Sequence, residues 1–207
     1  MNKLLELIIG SEIDFEAIQL KHNDELINEY SSENNLYLID KGIYKIYEYH
    51  KNGKISLIQY LESGDLIGEL GLLGVESQKK VVLSNGESSV IKIKESDYIH
   101  VLKDDPNFLK YLSINLATKL LSRTHHFTEM QQYKLKPRLL RHIQRTHIDG
   151  VVDENFTYLS QYLATSYRHL MFTLKELIDE DIIEKVDKTY RIKSYEKLKI
   201  AIEKHEV

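Results

Sequence analysis

The residues with the clearest potential for chemistry lie between positions 166 and 177, in the last third of the chain. Leucines four and three residues apart in this segment predict a helix with one buried face. The opposite side would carry two aromatic residues and two cations: Tyr167, Arg168, Phe172 and Lys175. In the major groove of DNA, arginine pairs with two acceptors of guanine, and an apolar ring can contact the thymine methyl group. We therefore expect Tyr167, Arg168 and Phe172 to read bases and Lys175 to bind phosphate.

A basic stretch precedes this segment and strengthens the expectation. Residues 134–147 contain five cations and no acid, and Arg138, Arg141 and Arg145 would share one face of a helix. We expect these three arginines to bind DNA phosphates, with Lys188 at the tip of a predicted hairpin as a further phosphate contact. A basic helix face that only contacts solvent is the alternative.

The distribution of charge agrees with a nucleic-acid partner. The net charge of -4 is the sum of -6 over residues 1–132, from 14 Lys+Arg and 20 Asp+Glu, and +2 over residues 133–207, from 14 and 12. The acidic average therefore hides a basic tail.

The elements that must position these residues change character at the two prolines, Pro106 and Pro137. Before Pro106, runs rich in β-branched and aromatic residues predict strands over residues 36–39, 43–49, 54–61 and 88–94. Gly42, Asn52-Gly53, Gly64 and Asn85-Gly86 separate these runs, and Asn-Gly is a strong hairpin signal. The pattern predicts an antiparallel roll or barrel, preceded by one or two helices in the first 30 residues.

After Pro106 the apolar spacing changes to a helical period, with no glycine or proline before Pro137. The apolar positions of this predicted long helix, residues 105–136, are Leu109, Leu112, Leu116, Leu120, Phe127 and Met130. A helix of about 30 residues would be about 45 Å long, more than a small domain needs for its own packing. We expect it to pair with a second copy of the chain, the alternative being packing within one subunit.

Beyond Pro137 the order of elements is typical of a winged helix. A basic helix ends near Asp149-Gly150, a short helix covers residues 157–163, and Ser166 is a suitable N-cap for the next helix. Residues 182–192 predict a hairpin with Asp187-Lys188 at its centre, and residues 195–204 predict a closing helix.

Two segments resemble one known family. Residues 61–73, Leu-Glu-Ser-Gly-Asp-Leu-Ile-Gly-Glu-Leu-Gly-Leu-Leu, resemble the phosphate-binding cassette of the Crp/Fnr (cyclic-AMP receptor protein / fumarate-nitrate regulator) family. Residues 36–42 and 52–54 match the strand spacing of its β-roll. Residues 163–170, Leu-Ala-Thr-Ser-Tyr-Arg-His-Leu, resemble its helix-turn-helix, and are most similar to the YeiL-like branch. The resemblance covers about residues 15–193 in the family's domain order.

The resemblance implies an α+β fold in three parts. These are a sensor domain with an N-terminal antiparallel β-roll of jelly-roll type (1–104), the long dimerisation helix (105–136) and a C-terminal winged helix-turn-helix (137–207). It implies a homodimeric transcription regulator that binds an inverted-repeat operator on double-stranded DNA, with RNA polymerase as a further partner if the protein is an activator.

The same resemblance allows a test of the effector. Family members that bind cyclic nucleotides pair a Gly-Glu, which contacts ribose, with a later Arg-Ser, whose arginine neutralises the cyclic phosphate. Gly68 and Glu69 are present here, but Lys79 and Lys80 occupy the Arg-Ser positions. These four residues are the candidate effector pocket. Lysine lacks the bidentate fork of arginine, so we expect an effector other than a cyclic nucleotide, although a cyclic-nucleotide-responsive regulator remains the alternative.

Other classes of function find little support in the composition. The chain has no cysteine, which excludes a cysteine-ligated iron–sulfur cluster, and it shows no nucleophile motif or cofactor loop, so neither an enzyme nor a resident cofactor is expected. His125, His126 and Glu129 are too few ligands for a metal site. No apolar run could span a bilayer and no signal peptide is apparent, which predicts a cytoplasmic protein. The alternative to a DNA-binding regulator is a sensor protein whose helical tail contacts a protein partner.

Overall fold

The computed structural model describes residues 8, 10, 13–28, 30–31, 34–76 and 80–204. They divide into two compact units. The first comprises residues up to Lys54 and Ile58–Arg123, and the second comprises Ile55–Leu57 and the chain from Thr124 onward. The boundary falls within the long helix, so each unit is described separately. In the part of the chain that the structure describes, no helix is both long and apolar enough to cross a membrane.

The first unit is an antiparallel β-roll. Its strands are β1 (Phe15–Leu20), β2 (Glu25–Ile27), β3 (Leu36–Tyr49), β4 (Ile55–Glu62), β5 (Leu66–Ile67) and β6 (Lys80–Ile93). The path through the sheet is β1-β6-β3-β4, with β2 paired to β6 and β5 paired to β3. This confirms the predicted fold class. The prediction of helices in the first 30 residues is wrong for residues 15–20 and 25–27, because these form β1 and β2. The rest of that prediction falls mostly outside the described residues.

Two of the glycine signals have a different role from the one predicted. Gly42 and Asn85-Gly86 do not end strands, because β3 and β6 run through them and pair with each other from Leu36 to Glu48. The register shifts on both sides of Lys41, and Gly42 has a φ of +91° with Ser88 Cβ 2.4 Å from where its own Cβ would lie. The glycine therefore permits a bulge where two long strands approach closely, rather than a reversal. Asn52-Gly53 does form the predicted hairpin, closed by a 2.8 Å hydrogen bond from the His50 amide to the Lys54 carbonyl.

Both faces of β3 are buried, since successive side chains point to opposite sides of the sheet. Leu36 and Leu38 pack in one apolar cluster that includes Phe108 of the helix after the sheet. Tyr37 and Ile39 belong to a second cluster within the roll.

The helices of this part of the chain are α1 (Glu69–Leu72), α2 (Glu95–Asp97), which continues into a π-helical turn at Tyr98–Leu102, and the long helix α3 (Pro106–Gln132). Helix α3 ends earlier than predicted, and the next helix, α4 (Leu135–Thr146), begins before Pro137 rather than after it. Proline is tolerated there because the first turn of a helix has no intrahelical use for its amide hydrogens.

The apolar positions predicted along α3 do not form one stripe. Leu112 is buried in the core of the roll and Leu116 packs against it, so these two are not available to a partner helix. Leu109, Leu120 and Phe127 lie on the outer side, with Leu120 66% and Phe127 59% exposed, and Met130 is half-buried.

The second unit is a winged helix. Besides α4 it contains β7 (Val151–Val152), α5 (Phe156–Tyr162), α6 (Tyr167–Asp179), β8 (Ile183–Val186), β9 (Thr189–Ile192) and α7 (Tyr195–Glu203), with the sheet order β7-β9-β8. Its core is drawn from α4, α5, α6 and α7, for example Leu139, Leu159, Leu174 and Leu198. The predicted order of helix, turn, helix, hairpin and closing helix is confirmed.

Candidate nucleic-acid interface and ligand cavity

Helix α6 has the amphipathic character that its sequence predicts. The Ser166 hydroxyl caps it by accepting a 3.1 Å hydrogen bond from the His169 amide. Leu170, Leu174 and Leu177 are buried in the core of the second unit. The helix is thus held by one face, which leaves the other face to solvent.

The exposed face of α6 carries the four residues expected to contact DNA. Tyr167 is 52% and Phe172 60% exposed, and Arg168 and Lys175 are also exposed. Within the described residues neither of these two cations has an ion pair. An apolar ring between two such cations, four and three residues away, is suited to a groove lined with phosphates and base edges.

The turn before α6 is built from local hydrogen bonds. Helix α5 is capped by Asn155, and its C-terminal end is closed by a 2.9 Å bond from the Thr165 amide to the Ser160 carbonyl. Ala164 has a φ of +46°, an unusual conformation for a residue with a side chain. The two helices therefore meet through a short turn, as in helix-turn-helix proteins.

The three arginines of α4 are not equivalent, although they lie on one side of the helix. Arg138 donates a 2.6 Å hydrogen bond from Nη1 to the Leu163 carbonyl. Arg141 pairs with Glu129 at 3.1 Å and lies 4.7 Å from the centre of the Tyr133 ring. The expectation that all three bind phosphate is corrected for Arg138 and Arg141, because the Leu163 carbonyl and the Glu129 carboxylate of the same chain hold their guanidinium groups. Arg145 is exposed.

The predicted hairpin is present as β8 and β9, and Lys188 is exposed in its turn. Asp187 has a φ of +52°, which allows the tight reversal. Lys188 is therefore placed at the tip of the wing, as expected.

The first unit contains a cavity of about 390 Å³. Gly68, Glu69 and Lys80 of the candidate effector pocket line it, whereas Lys79 lies outside the described residues. Gly68 has a φ of +93°, and a Cβ there would lie 2.2 Å from the Asn35 carbonyl oxygen. This glycine is required by the fold of the roll and does not itself indicate a nucleotide.

Glu69 and Lys80, the charged residues of these positions that the structure describes, are each paired within the protein. The Glu69 carboxylate is 2.7 Å from the Lys119 ammonium, with side chains only 7% and 10% exposed. Lys119 also donates to the Leu66 carbonyl. Lys80 forms an ion pair with Glu76, four residues earlier. Glu69 and Lys80, which would contact a cyclic nucleotide, are thus neutralised by side chains of the same chain.

Two cavity residues of α3, Lys119 and Arg123, were not predicted from the sequence. Arg123 donates from Nε to the Gln59 amide oxygen at 2.9 Å. A signal for them does exist: the buried positions of α3 follow a spacing of four, three and four as Phe108, Leu112, Asn115 and Lys119. Polar residues that continue a buried apolar stripe indicate buried polar contacts, and Arg123 lies one turn further.

The ring of His126, on α3, has a structural role. It stacks on the ring of Tyr162 with centres 4.1 Å apart, and its Nε2 lies 3.1 Å from the Tyr162 carbonyl oxygen. Burial lowers the pKa of His126 and raises the pKa of Tyr162 to about 12. No cluster of three or more His, Cys, Asp or Glu side chains suited to a metal ion occurs among the residues that the structure describes.

The comparisons with known proteins agree with this architecture. Residues 17–105 match the family model of the cyclic nucleotide-binding domain. The regulatory protein YeiL of Escherichia coli O157:H7 is 27% identical over 175 residues, which cover 84% of this chain and 80% of that protein. The cAMP-activated global transcriptional regulator CRP of Escherichia coli O6:H1 is 24% identical over 174 residues, 79% of this chain and 83% of that protein.

The fold has a close counterpart among solved structures. A transcriptional regulator of the CRP/FNR family from Thermus thermophilus superposes with a TM-score of 0.70 at 16% identity, covering 92% of this chain and all of that one. Residues 17–105 therefore match a cyclic nucleotide-binding domain, and the chain shares its overall fold with this solved structure. The chain is similar in sequence and fold to Crp/Fnr-type regulators, which confirms the resemblance indicated by the cassette and helix-turn-helix motifs.

Proposed function

We propose that this protein is a sequence-specific DNA-binding transcription regulator that acts as a homodimer on an inverted-repeat operator. The observation that carries the proposal is the exposed face of α6, where a capped helix holds Arg168, Phe172 and Lys175 toward solvent, and where neither cation has an ion pair among the described residues. Tyr167, Arg168 and Phe172 read bases, and Lys175, Arg145 and Lys188 bind phosphates.

The outer side of α3 supports the homodimer. Large apolar side chains are exposed there along several turns: Leu109, Ile114, Leu120, Leu121 and Phe127. A second copy of the same helix would bury them around a two-fold axis. Two α6 helices would then enter successive major grooves about 34 Å apart, which requires an inverted-repeat operator.

The cavity of the roll is the effector site in this proposal. A cyclic nucleotide is a poor candidate, because Glu69 is occupied by Lys119 and Lys80 by Glu76. The protein has no cysteine to ligate an iron–sulfur cluster, and we propose that its effector is a small molecule other than a cyclic nucleotide. Its relatives are named as regulators, and we expect no catalytic activity and a cytoplasmic location. If the protein activates transcription, RNA polymerase is a further partner.

The test is a comparison of two substitutions on α6, measured by gel shift on an operator selected from genomic fragments. Arg168→Ala should reduce discrimination at one base position by about 1 to 3 kcal/mol. Lys175→Ala should weaken binding to all sequences alike and lower the slope of log affinity against log salt by about one. Lys51→Gln, which removes an exposed cation from the turn between β3 and β4, is the matched control and should change neither quantity.

Equal, sequence-independent losses from Arg168→Ala and Lys175→Ala would contradict the assignment of base and phosphate contacts. Absence of any salt-dependent DNA binding by the unmodified dimer would contradict the proposal as a whole. That result would favour a sensor whose helical tail binds a protein partner.

A further inference from the structure

Among the described residues, the charged side chains that line the cavity of the roll do not all form ion pairs. Among the described residues that line it, the charged side chains are Glu69, Glu76, Lys80, Lys119 and Arg123. Lys119 is paired with Glu69, and Lys80 with Glu76. Within this described lining, three cations against two carboxylates leave one positive charge without a carboxylate partner, and that charge belongs to Arg123.

The guanidinium of Arg123 is oriented but not neutralised. Its Nε donates to the Gln59 amide oxygen, and Gln59 is buried in the sheet. The Nε side of the guanidinium therefore has a fixed contact with an uncharged group. Within the described residues, no carboxylate forms an ion pair with Arg123. The two terminal nitrogens can therefore make the paired hydrogen bonds that a carboxylate accepts.

Part of the cavity wall is apolar. Ile46, Leu61 and Val82 come from three different strands, and all three side chains are buried. A cavity that combines an apolar wall with a few oriented polar groups is typical of sites for small organic ligands.

We propose that this cavity binds a small organic acid with a single negative charge, whose carboxylate is held by Arg123 and whose apolar part lies against Ile46, Leu61 and Val82. One negative charge on the ligand neutralises the one cation that lacks a carboxylate in the described lining. The inference rests on the proposed function in one respect, that the cavity is the effector site of a DNA-binding regulator.

The position of Arg123 links such a ligand to helix α3. Lys119, one turn before Arg123, already attaches the helix to the roll through Glu69 and the Leu66 carbonyl. An acid on Arg123 adds a second attachment on the same side of the helix. Binding of the ligand therefore acts directly on the helix whose outer face is the proposed dimer contact.

The experiment measures thermal unfolding of the full chain with hexanoate, benzoate and cyclohexanecarboxylate, each beside its neutral amide, and with 3′,5′-cyclic AMP. The proteins are the unmodified chain, Arg123→Gln, Arg123→Lys and the control Lys110→Gln. We expect at least one carboxylate to raise the Tm while its amide does not. Its apparent affinity should fall at least tenfold in Arg123→Gln, fall less in Arg123→Lys, and stay unchanged in Lys110→Gln.

The proposal is overturned if no carboxylate raises the Tm, if an amide binds as well as its acid, or if Arg123→Gln binds like the unmodified chain. Stabilisation by cyclic AMP without stabilisation by any carboxylate also overturns it. A gel shift on the same preparations separates the two proposals. DNA binding without carboxylate binding refutes the ligand alone, whereas carboxylate binding without DNA binding supports the ligand and refutes the regulator.

Discussion

The cavity of the roll and the exposed face of α6 use the same residue types in opposite ways. In the cavity, Lys80 and Lys119 are each paired with a carboxylate of the same chain, and the Lys119 pair is buried. On α6, Arg168 and Lys175 are exposed and have no ion pair among the described residues. The difference shows that the presence of basic residues does not define an anion site, because a cation already neutralised has little to offer a ligand.

The physical reason lies in solvation. A buried ammonium loses its hydration and must be paired, whereas an exposed guanidinium is stabilised by water until a phosphate replaces it. A free cation that neutralises a phosphate releases condensed counterions, which contributes most of the non-specific affinity for DNA. A cation of an internal pair releases none.

The largest expected effect tests the buried side of this comparison. Lys119→Met leaves the Glu69 carboxylate buried without its partner, and we expect the free energy of unfolding to fall by about 3 kcal/mol. The measurement is urea unfolding of the full chain followed by far-UV circular dichroism. Lys175→Met, which removes an exposed cation from α6, is the matched control and should change stability by less than about 0.5 kcal/mol. Similar losses from the two substitutions would remove the distinction between the two regions.

A smaller effect tests the comparison within the second unit, where the Arg141 side chain is held by other residues of the chain. Arg141→Ala removes the ion pair with Glu129 and the contact with the Tyr133 ring. Because these groups are partly exposed, we expect a loss of stability of about 1 kcal/mol. Thermal unfolding measures it, with Lys175→Ala as a variant that should leave the Tm unchanged. If Arg141→Ala weakened DNA binding while the Tm stayed constant, the arginine would face phosphate after all.

The smallest effect concerns the half-buried imidazole of His126. Burial lowers the pKa of His126, while the surrounding charges of Glu129, Arg138 and Arg145 have smaller and partly opposing effects. A folded-state pKa below that of the unfolded chain means that the unfolded chain binds the proton first. The contribution of His126 to stability is therefore fully present above about pH 6.5 and is lost as the pH falls through that value towards the folded-state pKa.

Substitution by an aromatic residue that does not titrate isolates this effect. His126→Phe retains a ring beside Tyr162 and should reduce the decline in Tm between about pH 7 and about pH 5 relative to the unmodified chain. An identical pH dependence in the two proteins would show that His126 does not contribute to it.

Much of the second unit could be predicted because its signals are local. Ser166 as an N-cap, the leucine spacing of α6 and the Asp187 turn each depend on residues close in sequence. The Asn85-Gly86 pair failed as a hairpin signal because its conformation is set by pairing with β3, where Asn85 lies opposite Ile43. Local preference for positive φ serves a bulge as well as a turn.

The sequence by itself determined the fold class, the exposed face of α6 and the absence of cysteine chemistry, since periodicity and composition need no knowledge of distant contacts. Only the tertiary structure decided which charges are paired. It placed Lys119 on Glu69, Arg141 on Glu129 and Arg138 on the Leu163 carbonyl, and among the described residues it left Arg123 without a carboxylate. These assignments depend on pairs of residues far apart along the chain or on different elements, and the burial that makes such pairs necessary exists only in the folded protein.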